Sequence, residues 1–208
     1  MIILTNKNWL IALNDLKKKD KILKKIINTY KSEKLKSKKD PFLTLAKSIT
    51  GQQISVKAAN SIWLKLEKKI KKINPNGILK LKKSEIAACG FSKQKINYLH
   101  NLSIFFKNNK NIEKKWKNLE DEKIIEDLIK IKGIGKWTAE MFLIFYLLRP
   151  NIFPQSDIGL LKAISINYNL KYPLNDKDIN KFKKKWVPWS TVATWYLWRS
   201  LDPIPVKY

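Results

Sequence analysis

Four residues, Lys132-Gly133-Ile134-Gly135, separate two apolar helical patterns: Asp121 to Ile131 before them and Trp137 to Leu148 after. Ile124, Ile125, Leu128 and Ile131 recur at helical spacing, and the second stretch is apolar almost all round. A helix of that kind belongs at the centre of a bundle, so the rest of the chain must supply helices to cover it. The glycines at 133 and 135 let the backbone turn sharply and present free N–H groups at the start of the next helix. With Lys132 and Lys136 alongside, those amides form a place to hold a phosphate. One acidic residue, Asp157, follows 22 positions after Gly135, just ahead of the apolar Ile158-Gly-Leu-Leu161.

Helical spacing runs through most of the chain. Trp9, Leu10, Leu13, Leu16, Ile22, Leu23, Ile26 and Ile27 share it, with an interruption at Lys17 to Asp20. Lys31 to Lys39 reads as a charged connector. Asp40 as N-cap and Pro41 at the first helical position then start a helix that Gly51-Gln52-Gln53 breaks. Ser55 or Ile54 opens another. Asn74-Pro75-Asn76-Gly77 reads as a turn, and Gly90 stops a short helix over Ser84 to Cys89. No stretch alternates as a half-buried strand does. The expectation is an all-α protein, a two-lobed helical bundle of about ten helices with a helix-hairpin-helix motif. Its lobes would cover about 40–115 and about 116–200 plus the N-terminal helix, within a single unit over 1–208.

Lys and Arg number 43 against 17 Asp and Glu, a net charge of +26. Such a balance favours a polyanionic partner, most simply nucleic acid. A chain rich in Lys, Asn and Ile also fits a biased coding composition, so charge alone does not decide. One cysteine (Cys89) and one histidine (His100) exclude an internal disulfide, a zinc set and a four-cysteine iron–sulfur cluster. No cofactor and no catalytic metal are expected. The longest strongly apolar run, Met141 to Leu148, falls short of the ~20 residues that span a bilayer. Lys7 and Asp15 interrupt the N-terminal apolar stretch and no A-x-A pattern follows, so no signal peptide is expected. The chain is expected to stay in the cytoplasm as a monomer, associated with the nucleoid and without a membrane partner.

Most carboxylates lie in Lys-rich helical faces and read as solvated. Asp157 sits at a helix N-terminus, where a negative charge is favoured. It could simply cap that helix, a role worth ~1 kcal/mol. Held as an ion, it would also suit a reaction that builds positive charge on a sugar. The eight tryptophans mostly read as core, including those of Trp186-Val-Pro-Trp189 and Trp195-Tyr-Leu-Trp198. Trp137, two residues past the hairpin glycine, is less easily read as core, since an aromatic beside a phosphate clamp can stack on an extruded base.

Gly133-Ile-Gly-Lys-Trp-Thr-Ala-Glu140 with its downstream Asp resembles the helix-hairpin-helix (HhH-GPD) DNA glycosylases, and most of all the DNA-3-methyladenine glycosylase II, or alkylbase glycosylase, branch. Gly51-Gln-Gln-Ile-Ser55, Gly90-Phe-Ser-x-x-Lys95 and the block from Trp186 to Arg199 carry the same likeness, which spans roughly residues 40 to 200. The resemblance implies Asp157 as the catalytic aspartate. It assigns Lys132, Gly133, Ile134, Gly135, Lys136 and Thr138 to binding double-stranded DNA with damaged bases. It places Trp137, Met141 and Trp198 in the base pocket, and a structural monovalent cation on the backbone carbonyls of Ile129, Ile131 and Ile134. Where some relatives wedge a Leu into the duplex, this chain offers Gln53. Where lyase members carry a Lys, it has Trp137, so base removal without strand cleavage is implied. An oxidised-purine glycosylase with lyase activity and a non-catalytic DNA-binding module remain the rival readings.

Overall fold

Thirteen helices and no strand run through the described residues of the computed structural model, which are 2–30, 34–38, 40–70 and 72–202. They are α1 (Asn6–Lys19), α2 (Lys21–Thr29), α3 (Pro41–Gly51), α4 (Val56–Lys69), α5 (Pro75–Lys80), α6 (Lys83–Ala88) and α7 (Lys93–Asn108), then α8 (Ile112–Lys117), α9 (Asp121–Ile129), α10 (Lys136–Phe145), α11 (Ile158–Tyr168), α12 (Asp176–Lys185) and α13 (Ser190–Leu201). The all-α expectation holds. Residues 31–33 and 39 of the expected connector lie outside the described residues. The count exceeds the expected ten because six-residue helices such as α5 and α8 are too short to show a clear period. Asn74 accepts from the Gly77 N–H at 2.8 Å and Pro75 follows it, so the expected turn there is the start of α5. No helix among the described residues is long and apolar enough to cross a membrane.

Side-chain caps set many of the boundaries. Asp40 accepts from the Leu43 N–H at 2.8 Å and Ser55 from the Ala58 N–H at 3.2 Å. Gly90, at φ +102°, follows α6 and donates its N–H to Ala87 O. Helix α10 ends three residues short of the expected Leu148. Leu148 itself takes a left-handed φ of 52°, and the Arg149 N–H turns back to Leu143 O.

The chain divides into two compact units, and the division falls inside α10, between Phe142 and Leu143. The first runs from Lys38 to Phe142. In it α7 packs against α3, α5 and α6, and α3 against α4. Its core includes Leu45, Ile49, Leu66, Leu99, Leu102, Trp116 and Leu128, all buried. The change of lobe expected near 115 is not where the contacts break. Trp116 lies 6.0 Å from the Phe105 ring in a stacked arrangement and 5.4 Å from Phe142 edge-on, so α8, α9 and the hairpin stay with the preceding helices.

The second unit comprises Ile2–Ser37 and the residues from Leu143 onward. Here α13 packs against α1, α2 and α11. Asp20, 2% exposed, interrupts the N-terminal helical pattern and caps α2 through the Ile22 and Leu23 N–H groups. Its other oxygen accepts from Tyr168 Oη at 2.7 Å and Trp186 Nε1 at 3.1 Å, and pairs with Lys185 Nζ at 2.8 Å. Burial would raise the Asp20 carboxyl, but these hydrogen bonds outweigh it and hold it below the usual range. Burial, and then the bond to Asp20, pushes the Tyr168 phenol far up.

Candidate functional site

In the first unit, Ile131 and Ile134 are buried and anchor the loop between α9 and α10, while Lys132, Gly135 and Lys136 are exposed. The two glycines serve different ends. Gly133 has φ +105°, and a Cβ there would meet Tyr98 Cγ at 2.2 Å, so no other residue fits. Gly135 has no left-handed φ and nothing within 4 Å of where its Cβ would be. The chain does not require it to turn. It leaves open space instead, beside the N-terminus of α10. The Ala139 N–H reaches back to Gly135 O, which places the amides of Lys136, Trp137 and Thr138 in the first turn, where no intrahelical acceptor exists.

Two side chains expected at a ligand are turned inward. Thr138 is 2% exposed and its Oγ1 accepts from Gln52 Nε2 at 3.4 Å, so its hydroxyl faces the turn after α3 and not solvent. Met141, expected in the base pocket, is 1% exposed and buried with the core. A helix that is apolar all round gives no periodic sign of which face meets a ligand. Trp137 is half-buried.

Gln53 is exposed at the turn after α3, with a left-handed φ of 57° that is unusual for a residue with a side chain. The residue before it was not singled out from the sequence. Gln52 Nε2 donates to Gly133 O at 3.0 Å, joining the turn to the hairpin. Lys95 Nζ donates to Thr50 O at 2.8 Å from the other side, and burial lowers its ammonium pKa. Both residues stand in the motifs quoted above; their partners are too distant in sequence to be inferred.

In the second unit, Asp157 is 9% exposed and caps α11. Its Oδ1 accepts from the Leu160 N–H at 2.6 Å and from Trp198 Nε1 at 2.8 Å. The helix-capping role is therefore real, and a second donor is aimed at the same oxygen. Trp198 is half-buried and stacks on Phe145 with ring centroids 5.8 Å apart. At Gly159 a Cβ would come within 3.2 Å of Asp157 Oδ1 and 3.5 Å of the Trp198 ring. This glycine keeps room for the carboxylate and the indole to meet. The arrangement can hold a carboxylate in a fixed place at the edge of an indole ring. That suits the stabilisation of a positive charge.

Residues 46–188 match the family model described as HhH-GPD superfamily base excision DNA repair protein. DNA-3-methyladenine glycosylase 1 of Schizosaccharomyces pombe is 31% identical over 198 residues, covering 91% of this chain and 85% of the relative. DNA-3-methyladenine glycosylase of Saccharomyces cerevisiae is 36% identical over 155 residues, 70% of this chain and 52% of the relative. Among solved structures, the 3-methyladenine DNA glycosylase of S. pombe in complex with abasic DNA superposes with a TM-score of 0.82 at 27% identity, over 95% of this chain and 98% of that one.

Proposed function

Because the chain belongs to the HhH-GPD superfamily of base excision DNA repair proteins, we propose that it is a monofunctional DNA glycosylase, one that flips out and excises alkylated purines of the 3-methyladenine type. Asp157 would assist hydrolysis of the N-glycosidic bond. The observation that carries this reading is the pairing of Asp157 with Trp198 at the head of α11. A pure DNA clamp requires neither residue.

The duplex hides the glycosidic bond, so the nucleotide must leave the stack at a cost of a few kcal/mol. Lys132, Lys136 and the first amides of α10 hold the strand by its phosphate. Gln53 fills the space the base leaves, its amide able to hydrogen-bond the orphaned partner. The carbonyls of Ile129, Ile131 and Ile134 supply hard oxygen donors of the kind that hold a monovalent cation. Ile131 O already accepts from the Ile134 N–H at 2.9 Å and keeps a second lone pair for such an ion. The protein works beside the DNA as a monomer.

A purine alkylated at N3 or N7 carries a formal positive charge and leaves without a general acid. What remains is an oxocarbenium-like sugar and a water. The Asp157 carboxylate stabilises the first and orients the second. A unit charge ~4 Å away at an effective dielectric of 20 contributes ~4 kcal/mol. That is about a thousandfold in rate. It suffices for a bond already made labile by the charge on the base, and falls short for normal purines. The electron-rich face of Trp198 favours a cationic base for the same reason. Trp137 offers no amine, so no Schiff base forms and the strand stays intact.

The test is single-turnover release of free base from methylated duplex, followed by chromatography. Asp157→Asn should lower the rate about a thousandfold while leaving duplex affinity near wild type. Release at near wild-type rate would sink the mechanism. Wild-type product should stay uncut until heated in alkali; a nick made by the enzyme itself would point to the lyase reading.

A further inference from the structure

An exposed residue held at a left-handed φ is stable only where its surroundings fix it, since the conformation costs roughly 1–2 kcal/mol. Gln53 is such a residue, at φ 57°, and its own side chain is exposed. Its neighbours supply the constraint. Gln52, the C-cap of α3, sends its amide to Gly133 O at 3.0 Å and Thr138 Oγ1 at 3.4 Å. Lys95 grips Thr50 O at 2.8 Å on the α3 side, and Ser55 caps α4 on the other. Gly133 cannot drift away, because its Cα is packed against the Tyr98 ring.

We infer that Gln52 is a positioning residue, one that ties Gln53 to the phosphate-holding hairpin so that strand clamp and gap filler keep one fixed spacing. The inference rests on the reading of Gln53 as the gap-filling residue. Its physical content is the donation of one amide nitrogen to two acceptors, the shorter bond running to the Gly133 carbonyl at 3.0 Å. The donor must be an N–H facing a carbonyl; a carboxylate in its place would set oxygen against oxygen. The register of Gln53 against the held phosphate decides whether the amide arrives where the base has left. An error of about an ångström is enough to matter at a positioned group. Gln52 therefore acts on flipping and not on the glycosidic bond.

Flipping is needed only in a duplex, which gives the experiment its contrast. Base release is measured in single turnover from one alkylated strand, either paired or single-stranded, for Gln52→Ala, Gln52→Glu, Gln53→Ala and the double alanine variant. Thermal melting of each protein checks that it is folded. Gln52→Ala and Gln52→Glu should each be about tenfold slower on duplex and within about twofold of wild type on the single strand, and Gln53→Ala should be about tenfold slower on duplex. The double alanine variant should be no slower than Gln53→Ala, because both changes remove the same action. Losses that multiply in the double variant would overturn the inference, as would an active Gln52→Glu or an equal loss on both substrates. Each of these leaves the Gln53 reading intact. Full duplex activity in Gln53→Ala would remove the gap-filling reading itself, and the inference with it.

Discussion

Gly133 and Gly135 stand two residues apart and look alike in the sequence, yet their surroundings assign them opposite roles. At Gly133 an added methyl would overlap both the ring and the Cβ of Tyr98, closest at 2.2 Å, on a backbone at φ +105°. Neither the ring nor the backbone can yield cheaply. Overpacking and the left-handed φ together set the cost of Gly133→Ala at about 3 kcal/mol. In a domain of this size that lowers the melting temperature by roughly 6–12 °C. Gly135→Ala meets nothing within 4 Å and should melt within about 1 °C of wild type. Its effect falls on the ligand: a methyl in the open space beside the α10 amides obstructs a phosphate, and affinity for duplex should drop about tenfold. Melting curves and a binding titration on the two variants decide the matter. If Gly135→Ala binds DNA normally, the open space there is not where the backbone approaches.

The hairpin between α9 and α10 acts as an element because its apolar residues are buried and its charges are not. Lys132 and Lys136 flank the first-turn amides, and each phosphate neutralised by a lysine releases counterions. The slope of log affinity against log salt is about −0.9 per contact. Replacing both lysines by Gln should flatten that slope by about 1.8 and weaken matched and damaged duplexes alike. A slope unchanged in the double variant would take these lysines out of the interface. Much of this element was legible from residues 128 to 141, since helix ends, glycines and flanking charges are local signals. The same holds for the Asp40-Pro41 and Ser55 helix starts, which need only neighbours three residues away. What was not legible is long-range. Gln52 meets Gly133 across 81 residues, Asp157 meets Trp198 across 41, and Asp20 joins Tyr168 across 148. Asp157 and Trp198 were each named from the sequence, but nothing in it says that they touch. Thr138 and Met141 were assigned through the resemblance; both side chains are buried, and a helix without a polar face gives no local sign of that orientation. The contacts divide inside α10 and not near 115, and the packing of Trp116 on Phe105 and Phe142 that accompanies this has no local signal.

Over the whole molecule, a net charge of +26 acts on folding and on binding with opposite signs. Like charges repel within the folded chain, and unfolding lets them spread apart, so the charge destabilises the native state. Added salt shortens the screening length from about 30 Å at 0.01 M to about 8 Å at 0.15 M, which relieves that repulsion. The short-range attractions that oppose it are less affected. Asp20, itself buried and paired at 2.8 Å with the half-buried Lys185, is shielded from solvent ions, whereas Lys117–Glu113 and Lys123–Glu126 lie on the surface and contribute little. Screening should therefore raise the melting temperature of the free protein by a few degrees between those two salt concentrations, while the affinity for duplex falls steeply over the same range. Calorimetry on the free protein and titration of the complex, made in the same buffers, measure both trends. A melting temperature that falls with salt would mean that surface ion pairs outweigh the excess of lysine, and that the charge is not held against a folding cost. Opposite slopes would mean that the native state bears a repulsion which DNA relieves on binding, so that the complex melts higher than the free protein by a margin that shrinks as salt is added.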